Sequence, residues 1–364
     1  MAVFTEVSIE EAAALTRRLG LGELHALRGI EGGIENTNYF ASTAAGEFVL
    51  TVFERLGFEQ LPYYLELMKH LAERGIPVPA PVADTRTATA SGKAAASSAA
   101  AGKAAANSAA SGKAAASSAA SDLVLTVRDK PAAVVQRLQG RSELAPSAAH
   151  CAELGTMLAR MHLAGADFDR IQPNLRGLPW WNETAPVVLP FLEPAQAALL
   201  KSELAYQNHV AESAAHAALP RGPIHADLFR DNAMFDIDAG SPRLSGLFDF
   251  YFAGTDAWLF DVAVCLNDWA IDLPSGRHDP ARAASLLGAY QAVRPLQAAE
   301  RALLPALLRA AALRFWISRL WDFHLPREAS LLKPHDPTHF ERVLRERVAR
   351  PLALHADDRC AATV

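Results

Sequence analysis

The sequence has few cysteines, no long apolar run and no excess of positive charge. Its three cysteines, Cys151, Cys265 and Cys360, lie far apart, which excludes a disulfide framework and a CxxC pair. A membrane-spanning helix needs about eighteen consecutive apolar residues, and the sequence has no such run. The net charge of −5 gives no reason to expect nucleic-acid binding. The composition therefore predicts neither a membrane protein nor a nucleic-acid-binding protein.

The N-terminal residues also lack the features of a secretory signal. Residues 1–15 contain no basic segment followed by an apolar block. Together with the odd number of cysteines, the absence of a signal predicts a cytoplasmic protein. We expect the protein to be either a monomer or a small homo-oligomer. Apolar residues make up 51 % of the chain, enough for a substantial core, and 364 residues predict two domains or lobes.

Residues 85–121 have no apolar side chain larger than alanine. Within them, a ten-residue unit that begins Gly-Lys occurs three times across 92–121. A segment with so little to bury cannot offset its ordering entropy, so we predict a flexible insertion. The repeated Gly-Lys is not a Walker phosphate loop, because alanine follows each lysine where that motif needs serine or threonine.

Most of the chemical information lies in the stretch from Ile224 to Asp236, IHADLFRDNAMFD. Asp227 and Asn232 are five positions apart, between apolar segments that predict short buried strands. Phosphoryl transfer needs a carboxylate that orients the attacking hydroxyl, and an amide oxygen nearby can hold a metal ion on the phosphates. A further acid, Asp249, ends another apolar strand, where a second Mg²⁺-binding carboxylate belongs.

The pattern His-x-Asp-Leu-x-x-x-Asn at 225–232, followed by Asp-Phe at 249–250, resembles the catalytic loop of the aminoglycoside phosphotransferase and choline kinase superfamily. Segments 32–40, 174–181 and 248–269 resemble the homoserine kinases of threonine biosynthesis within that superfamily. Taken together, the resemblance covers nearly the whole chain outside the insertion.

This resemblance implies an α+β, two-lobed protein-kinase-like fold. The expected lobes are a small antiparallel β lobe at 1–139, which binds the nucleotide and contains the insertion at 85–121, and a large, mainly α lobe at 140–364. The implied reaction moves the γ-phosphoryl group of MgATP to the hydroxyl of L-homoserine and gives O-phospho-L-homoserine. The alternatives are another hydroxyl kinase of the superfamily, acting on choline, an aminoglycoside, a sugar or a hydroxylated amine, and a non-catalytic ATP-binding module.

The same resemblance assigns roles in the loop. Asp227 orients the acceptor hydroxyl and takes its proton late, while Asn232 and Asp249 hold Mg²⁺. His225 is expected to brace the loop backbone. His162 and Asp261 are expected to be structural.

The expected nucleotide-binding residues come from a glycine-containing turn, the strand that follows it and the hinge. They are Gly32, Gly33, Asn36, Asn38, Gln136 and Leu138. A plain hairpin turn is the alternative interpretation of the two glycines. One departure from the superfamily pattern is Thr51, which stands where many members carry a Lys or Arg for the phosphates.

Arginines and tryptophans in two later segments suit an amino-acid acceptor, because a planar guanidinium matches a carboxylate. The candidate substrate-binding residues are Arg176, Trp181, Arg230 and Arg314. Each arginine also has an alternative role. Arg176 can stack on a tryptophan of its own loop, Arg230 can be solvated, and Arg314 can pack its helix on a neighbour.

Overall fold

The computed structural model describes residues 5–30, 36–84, 122–236, 240–325 and 335–352. The chain forms two compact units, of which the first is Met1–Glu66 with Ala80–Arg137 and the second is Leu67–Pro79 with Leu138–Val364. The second unit therefore begins two residues before the boundary expected at 139/140, and it also includes Leu67–Pro79. The insertion expected at 85–121 lies outside the described residues.

An antiparallel five-stranded sheet in the order β1-β2-β3-β5-β4 forms the centre of the first unit. The strands are β1 (Leu24–Gly29), β2 (Asn36–Thr43), β3 (Gly46–Phe53), β4 (Leu125–Val127) and β5 (Lys130–Gln136). Helix α1 (Ile9–Arg18) lies on one face, where Leu15 joins the same buried cluster as Leu50 and Val52. The alternation of buried and partly buried positions along β2 fits a sheet with one face on this core.

Local sequence determines where α1 begins. The Ser8 hydroxyl accepts a hydrogen bond from the Glu11 N–H at 3.2 Å, and the Glu11 carboxylate accepts one from the Ser8 N–H at 2.8 Å. This is the capping box that the sequence predicts, and it satisfies two N–H groups at the helix start.

Helices make up most of the second unit. Helix α2 (Leu61–Glu73) begins in the first unit and ends in the second. The other helices of the second unit are α3 (Ala148–Ala164), α4 (Leu178–Val188), α5 (Pro194–Ala211), α6 (Ala214–Ala217), α7 (Trp258–Trp269), α8 (Pro280–Val293), α9 (Ala298–His324) and α10 (Thr338–Ala349). Helices α3 and α8 approach closely at Gly155, where a Cβ atom would lie 2.2 Å from the Leu286 carbonyl oxygen. Only glycine permits that approach.

Two short antiparallel strand pairs position the loop at 225–232. Strand β6 (Arg221–Ile224) pairs with β9 (Gly254–Ala257), and β7 (Ala233–Phe235) pairs with β8 (Leu244–Leu247). The polar loop therefore leaves β6 and enters β7, as its flanking apolar segments predict. Asp249 lies two residues after the end of β8.

Two expectations about helices were wrong. Residues 178–181 are the first turn of α4 rather than part of a loop, because a proline at the second helical position is compatible with a helix start. The composition of residues 194–218 predicts one long helix, but the structure divides it at Ser213, whose hydroxyl caps the short α6. Among the described residues, no helix combines the length and apolarity needed to span a bilayer.

Candidate active site

The loop after β6 adopts a conformation that needs external support. Ala226 has φ 64°, in the left-handed region, and its side chain is buried. For a residue with a Cβ, this conformation costs about 1–2 kcal/mol. Asp249 is also left-handed, with φ 66° and ψ 58°. Both bends therefore depend on compensating contacts.

Asp261, in the first turn of α7, supplies those contacts for Ala226. Its carboxylate accepts hydrogen bonds from the backbone N–H groups of His225 and Ala226, each at 2.7 Å. The side chain is completely buried. A buried carboxylate that accepts two backbone N–H bonds stabilises the loop more than neutral acceptors would. The structural role expected for Asp261 is confirmed.

A chain of buried polar groups continues from Asp261 away from the loop. His162 Nε2 lies 3.2 Å from the Asp261 carboxylate, and His162 Nδ1 lies 2.8 Å from the Tyr290 hydroxyl. Arg294 donates to that hydroxyl at 3.1 Å and forms a two-point ion pair with Glu300 at 2.9 and 3.1 Å. Burial lowers the pKa of His162, so its imidazole is neutral at pH 7.

His225 holds the backbone on the other side of the loop. Its Nε2 lies 2.9 Å from the Phe248 carbonyl oxygen, and its Nδ1 accepts from the Asp227 N–H at 3.3 Å. Burial lowers the pKa of this imidazole as well. One neutral tautomer, with the proton on Nε2, satisfies both contacts. His225 therefore links the loop to the residue just before Asp249, as expected of a brace.

Asp227 lies beside a buried arginine. Its Oδ1 is 3.8 Å from Arg314 Nη1, and its side chain is 15 % exposed, so it is largely but not completely removed from water. Burial raises the pKa of Asp227 to about 8, and the Asp249 and Asp231 carboxylates reinforce that rise while Arg314 opposes it. The electrostatics thus place Asp227, Asp249 and Arg314 in one neighbourhood.

Asn232 is oriented by the same loop. Its side-chain N–H donates to the Asp227 carbonyl oxygen at 2.8 Å, so its side-chain oxygen is the atom able to bind a cation. Asp249 presents an exposed carboxylate. Among the described residues, no three His, Cys, Asp or Glu side chains are grouped to hold a metal ion. Mg²⁺ is commonly held by one or two carboxylates together with substrate phosphates and waters, so Asn232 and Asp249 fit this ion.

Arg230 does not face a substrate, contrary to expectation. Its guanidinium is buried, with Nε 3.0 Å from the Asp268 carboxylate, Nη1 donating to the Leu144 carbonyl at 3.1 Å and Nη2 donating to the Asp268 carbonyl. The Asp268 carboxylate also accepts the backbone N–H of Arg230 at 2.8 Å. All three nitrogens are used within the protein, so the pair anchors the loop to the end of α7.

Trp181 also differs from expectation. It is 4 % exposed, packs on Phe260, and donates its indole N–H to the Arg176 carbonyl oxygen. It therefore supports Arg176 rather than contacting a ligand. The Arg176 guanidinium lies 4.4 Å from the centre of the Trp180 ring and 5.9 Å from that of Phe252. Arg176 therefore stacks on a tryptophan of its own segment, which is the alternative role given to it above. The charge of Arg176 also lowers the pKa of Arg314.

The nucleotide-binding candidates of the first unit are described in part. Gly32 and Gly33 lie outside the described residues. Asn38 accepts a hydrogen bond from the Thr51 hydroxyl at 2.8 Å, across the β2–β3 pair, and Asn36 begins β2 opposite Phe53. A neutral Thr–Asn pair therefore occupies the place where many superfamily members carry a cation.

The two hinge candidates fall in different units. Gln136 ends β5, with its N–H donating to the Ala80 carbonyl at 2.9 Å. Leu138 belongs to the second unit, where it packs so closely on Gly246 that a Cβ at position 246 would lie 2.6 Å from Leu138 Cδ1.

No local pattern in the sequence indicates a role for Tyr290, Arg294 or Glu300. They lie far from the loop in the sequence and match no local motif.

A small antiparallel sheet, a mainly helical unit and a braced His-x-Asp loop define a protein-kinase-like phosphotransferase. The family model described as "Phosphotransferase enzyme family" matches residues 26–296. Among solved structures, an amicoumacin kinase in complex with AMP-PNP and Ca²⁺ has a TM-score of 0.61 at 15 % identity, with 93 % of this chain and 92 % of that chain covered. An aminoglycoside phosphotransferase from Alicyclobacillus acidocaldarius has a TM-score of 0.56 at 15 % identity, with 95 % of both chains covered. These two likenesses support the fold alone.

Curated relatives are much more similar. A homoserine kinase of Polaromonas naphthalenivorans is 58 % identical, with 97 % of this chain and 100 % of the relative covered. Homoserine kinases of Cupriavidus necator and Burkholderia mallei are 54 % and 52 % identical, with at least 96 % of each chain covered. The chain therefore belongs to the phosphotransferase enzyme family, in the branch whose curated members are homoserine kinases.

Proposed function

We propose that the protein is an ATP-dependent homoserine kinase. It transfers the γ-phosphoryl group of MgATP to the side-chain hydroxyl of L-homoserine, giving O-phospho-L-homoserine and ADP. The extensive identity to curated homoserine kinases supports the acceptor. The observation that carries the chemistry is the position of Asp227, in a loop braced on both sides and beside the cation-binding pair Asn232 and Asp249.

Asp227 is the group that handles the acceptor hydroxyl. An alcohol is too weak an acid to be ionised by a carboxylate before transfer, so the ionised form of Asp227, which the nearby Arg314 favours, orients the hydroxyl and accepts its proton late. The bond from the γ-phosphorus to ADP breaks as the bond to the homoserine oxygen forms, and the hydroxyl proton moves to the carboxylate. Because Ala226 and His225 are fixed by Asp261 and Phe248, the carboxylate is positioned before the substrate binds.

Asn232 and Asp249 are the residues that would hold Mg²⁺. When bound, this ion would screen the negative charge that develops on the phosphates during transfer. The hydrogen bond from the Asn232 amide to the Asp227 carbonyl fixes which side-chain atom is presented, so the loop sets the cation ligand and the base together. Asn232 lies directly before β7, and Asp249 lies two residues after β8.

In the first unit, Gly32, Gly33, Asn36 and Asn38 contact the nucleotide phosphates. The Thr51 hydroxyl donates to the Asn38 oxygen, so the Asn38 amide N–H groups are the donors available for a phosphate. Backbone groups around Gln136 and Leu138 bind the adenine. A cytoplasmic location and a monomer or small homo-oligomer complete the proposal.

The test is ADP release from MgATP with L-homoserine, L-serine, L-threonine, choline and an aminoglycoside as acceptors. Wild type is compared with Asp227→Asn and with Asp272→Asn, a matched control at an exposed aspartate outside the loop. We expect turnover of L-homoserine, a decrease in kcat of about 10²- to 10⁴-fold for Asp227→Asn, and little change for the control.

Each other outcome has a definite meaning. Turnover of a different acceptor would retain the kinase mechanism and refute the homoserine assignment. Binding of ATP without turnover of any acceptor would favour the non-catalytic ATP-binding module. An Asp227→Asn enzyme as active as wild type would remove Asp227 from the reaction.

A further inference from the structure

Arg314 occupies an unusual position in the middle of α9. It is 3 % exposed, and one end of its guanidinium, Nη1, lies 3.8 Å from the Asp227 carboxylate. An arginine side chain remains charged in proteins, so its burial must be compensated by contacts. The contact with Asp227 uses only one of its three nitrogens.

The other two nitrogens have no such contact. Among the described residues, neither Nε nor Nη2 of Arg314 has a hydrogen-bond partner, although both atoms are buried. The N–H groups of Nε and Nη2 point the same way along one edge of the planar group. This edge is the fork that binds a carboxylate through two parallel hydrogen bonds. A buried donor without a partner costs about 1–3 kcal/mol, and more when it is charged.

Two aromatic rings lie close to the same guanidinium. The Arg314 Cζ atom lies 3.7 Å from the centre of the Phe315 ring and 5.1 Å from that of Phe252. Contacts with rings stabilise a cation but do not supply the carboxylate or carbonyl acceptor that a guanidinium N–H group normally has. The rings therefore explain why the side chain is held in place, and they leave the Nε/Nη2 edge without a partner.

The surrounding charge favours an anion at this edge. Burial lowers the pKa of Arg314 to about 10, Asp227 opposes that fall, and Arg176 and Arg319 add to it. Arg314 is thus repelled by Arg176 and Arg319 and attracted by Asp227 and Asp322. A bound carboxylate would relieve this repulsion, whereas a cationic acceptor would increase it.

The distance between Asp227 and the Nε/Nη2 edge of Arg314 also fits the length of the acceptor. If the acceptor hydroxyl is bound by Asp227, its carboxylate must reach the far edge of an arginine whose near end is 3.8 Å from that aspartate. In homoserine the hydroxyl oxygen and the carboxylate carbon are separated by three C–C bonds and one C–O bond. The extended span is about 5 Å. One guanidinium can therefore contact both the base and the carboxylate of the same substrate.

We infer that the Nε/Nη2 edge of Arg314 binds the carboxylate of the acceptor and makes the enzyme selective for hydroxy acids over the corresponding alcohols. This inference rests on the proposed function, since it concerns the acceptor of the same reaction. Arg314 thereby determines specificity, and its distance from Asp227 sets the length of acceptor that the site takes.

The test compares L-homoserine with L-homoserinol, in which a hydroxymethyl group replaces the carboxylate. The ratio of kcat/KM for these two acceptors is measured for wild type, Arg314→Gln and Arg314→Lys. Loss of the positive charge near Asp227, or of some folded enzyme, affects both acceptors equally and cancels in the ratio. Arg301→Gln is the matched control, because it lies on the same helix about 20 Å away along the axis.

We expect wild type and Arg301→Gln to prefer L-homoserine by about 10- to 150-fold, the range of a charge-assisted hydrogen bond. In Arg314→Gln this preference should fall to within about threefold of unity, chiefly through a higher KM for L-homoserine. Arg314→Lys should retain an intermediate preference, since an ammonium keeps the charge and loses the fork.

The two hypotheses fail in different ways. A wild-type enzyme that does not phosphorylate L-homoserine would refute the proposed function and this inference together. A wild-type enzyme that does so, with the same acceptor ratio in Arg314→Gln, would refute this inference alone and leave Arg314 as a packed helix residue.

Discussion

The support that Asp261 gives to the catalytic loop can be tested by replacing it with asparagine. The carboxylate accepts the N–H groups of His225 and Ala226 at 2.7 Å each, and an asparagine side chain has only one oxygen. In Asp261→Asn one of these N–H groups must face an NH₂ group, which cannot accept it. The volume of the side chain is nearly unchanged, so the substitution isolates the hydrogen bonds.

The expected magnitude follows from those bonds. A hydrogen bond to a charged group contributes about 1.5–3 kcal/mol, while the left-handed conformation of Ala226 costs about 1–2 kcal/mol. Loss of one bond therefore removes a stabilisation as large as the strain that it offsets. We expect the free energy of unfolding to fall by about 2–3 kcal/mol and Tm to fall by about 5–10 °C.

The catalytic effect should be larger than the effect on substrate binding. When Ala226 relaxes, Asp227 moves with it, and a displacement of about 1 Å can reduce the rate roughly 10²-fold. We expect kcat for L-homoserine to fall by about that factor, while KM for ATP changes by less than about threefold. The assay is ADP release at a temperature well below the Tm of the variant, with Asp272→Asn, an exposed aspartate in the same unit, as the control.

One result would refute this reasoning. If Asp261→Asn loses stability as expected but keeps kcat within about threefold of wild type, the loop does not depend on Asp261 for its active conformation. The contact between His225 and the Phe248 carbonyl would then be the principal brace. Rescue by Ala226→Gly in the Asp261→Asn background would support the original reasoning, because glycine adopts the left-handed conformation without strain.

Two further predictions concern the interior of the second unit. Tyr290→Phe should lower the free energy of unfolding by about 1–3 kcal/mol, because His162 Nδ1 loses a buried partner, whereas Tyr206→Phe should leave it nearly unchanged in the same urea titration. His278 has its pKa lowered to about 3 by burial, so its unfolded form binds a proton that the folded form does not. Its contribution to stability is present above about pH 6.5 and decreases below it, by about 2 kcal/mol at pH 5. The slope of unfolding free energy against pH should become shallower in His278→Gln, and an unchanged slope would contradict the assignment.

The sequence predicted the features that depend on short-range chemistry. The capping box at Ser8 and the strands on both sides of the polar loop follow from spacing and turn residues within a few positions. The prediction of a loop at the start of α4 was wrong because paired tryptophans and a proline are also typical of loops. In that helix, tertiary packing of Trp181 decides the structure.

The partners of individual side chains could not be predicted in the same way. Arg230 and Arg314 have the same chemistry in the sequence, and both were candidates for substrate binding. Arg230 is saturated by Asp268 and two carbonyl groups, whereas Arg314 keeps an unused edge. That difference depends on which groups the fold brings to each guanidinium, and it carries most of the functional information.

The catalytic loop tolerates a strained residue, Ala226, because the fold brings several buried partners to it. A single left-handed alanine could relax if it were held by one contact. Asp261, however, is itself held by His162. His162 is held in turn by Tyr290, which lies 128 positions further along the sequence. Tyr290 in turn accepts from Arg294, which is paired with Glu300. Movement of the loop therefore requires breaking buried bonds in three helices. The base is kept in place by the core of the second unit, so its geometry does not depend on substrate binding.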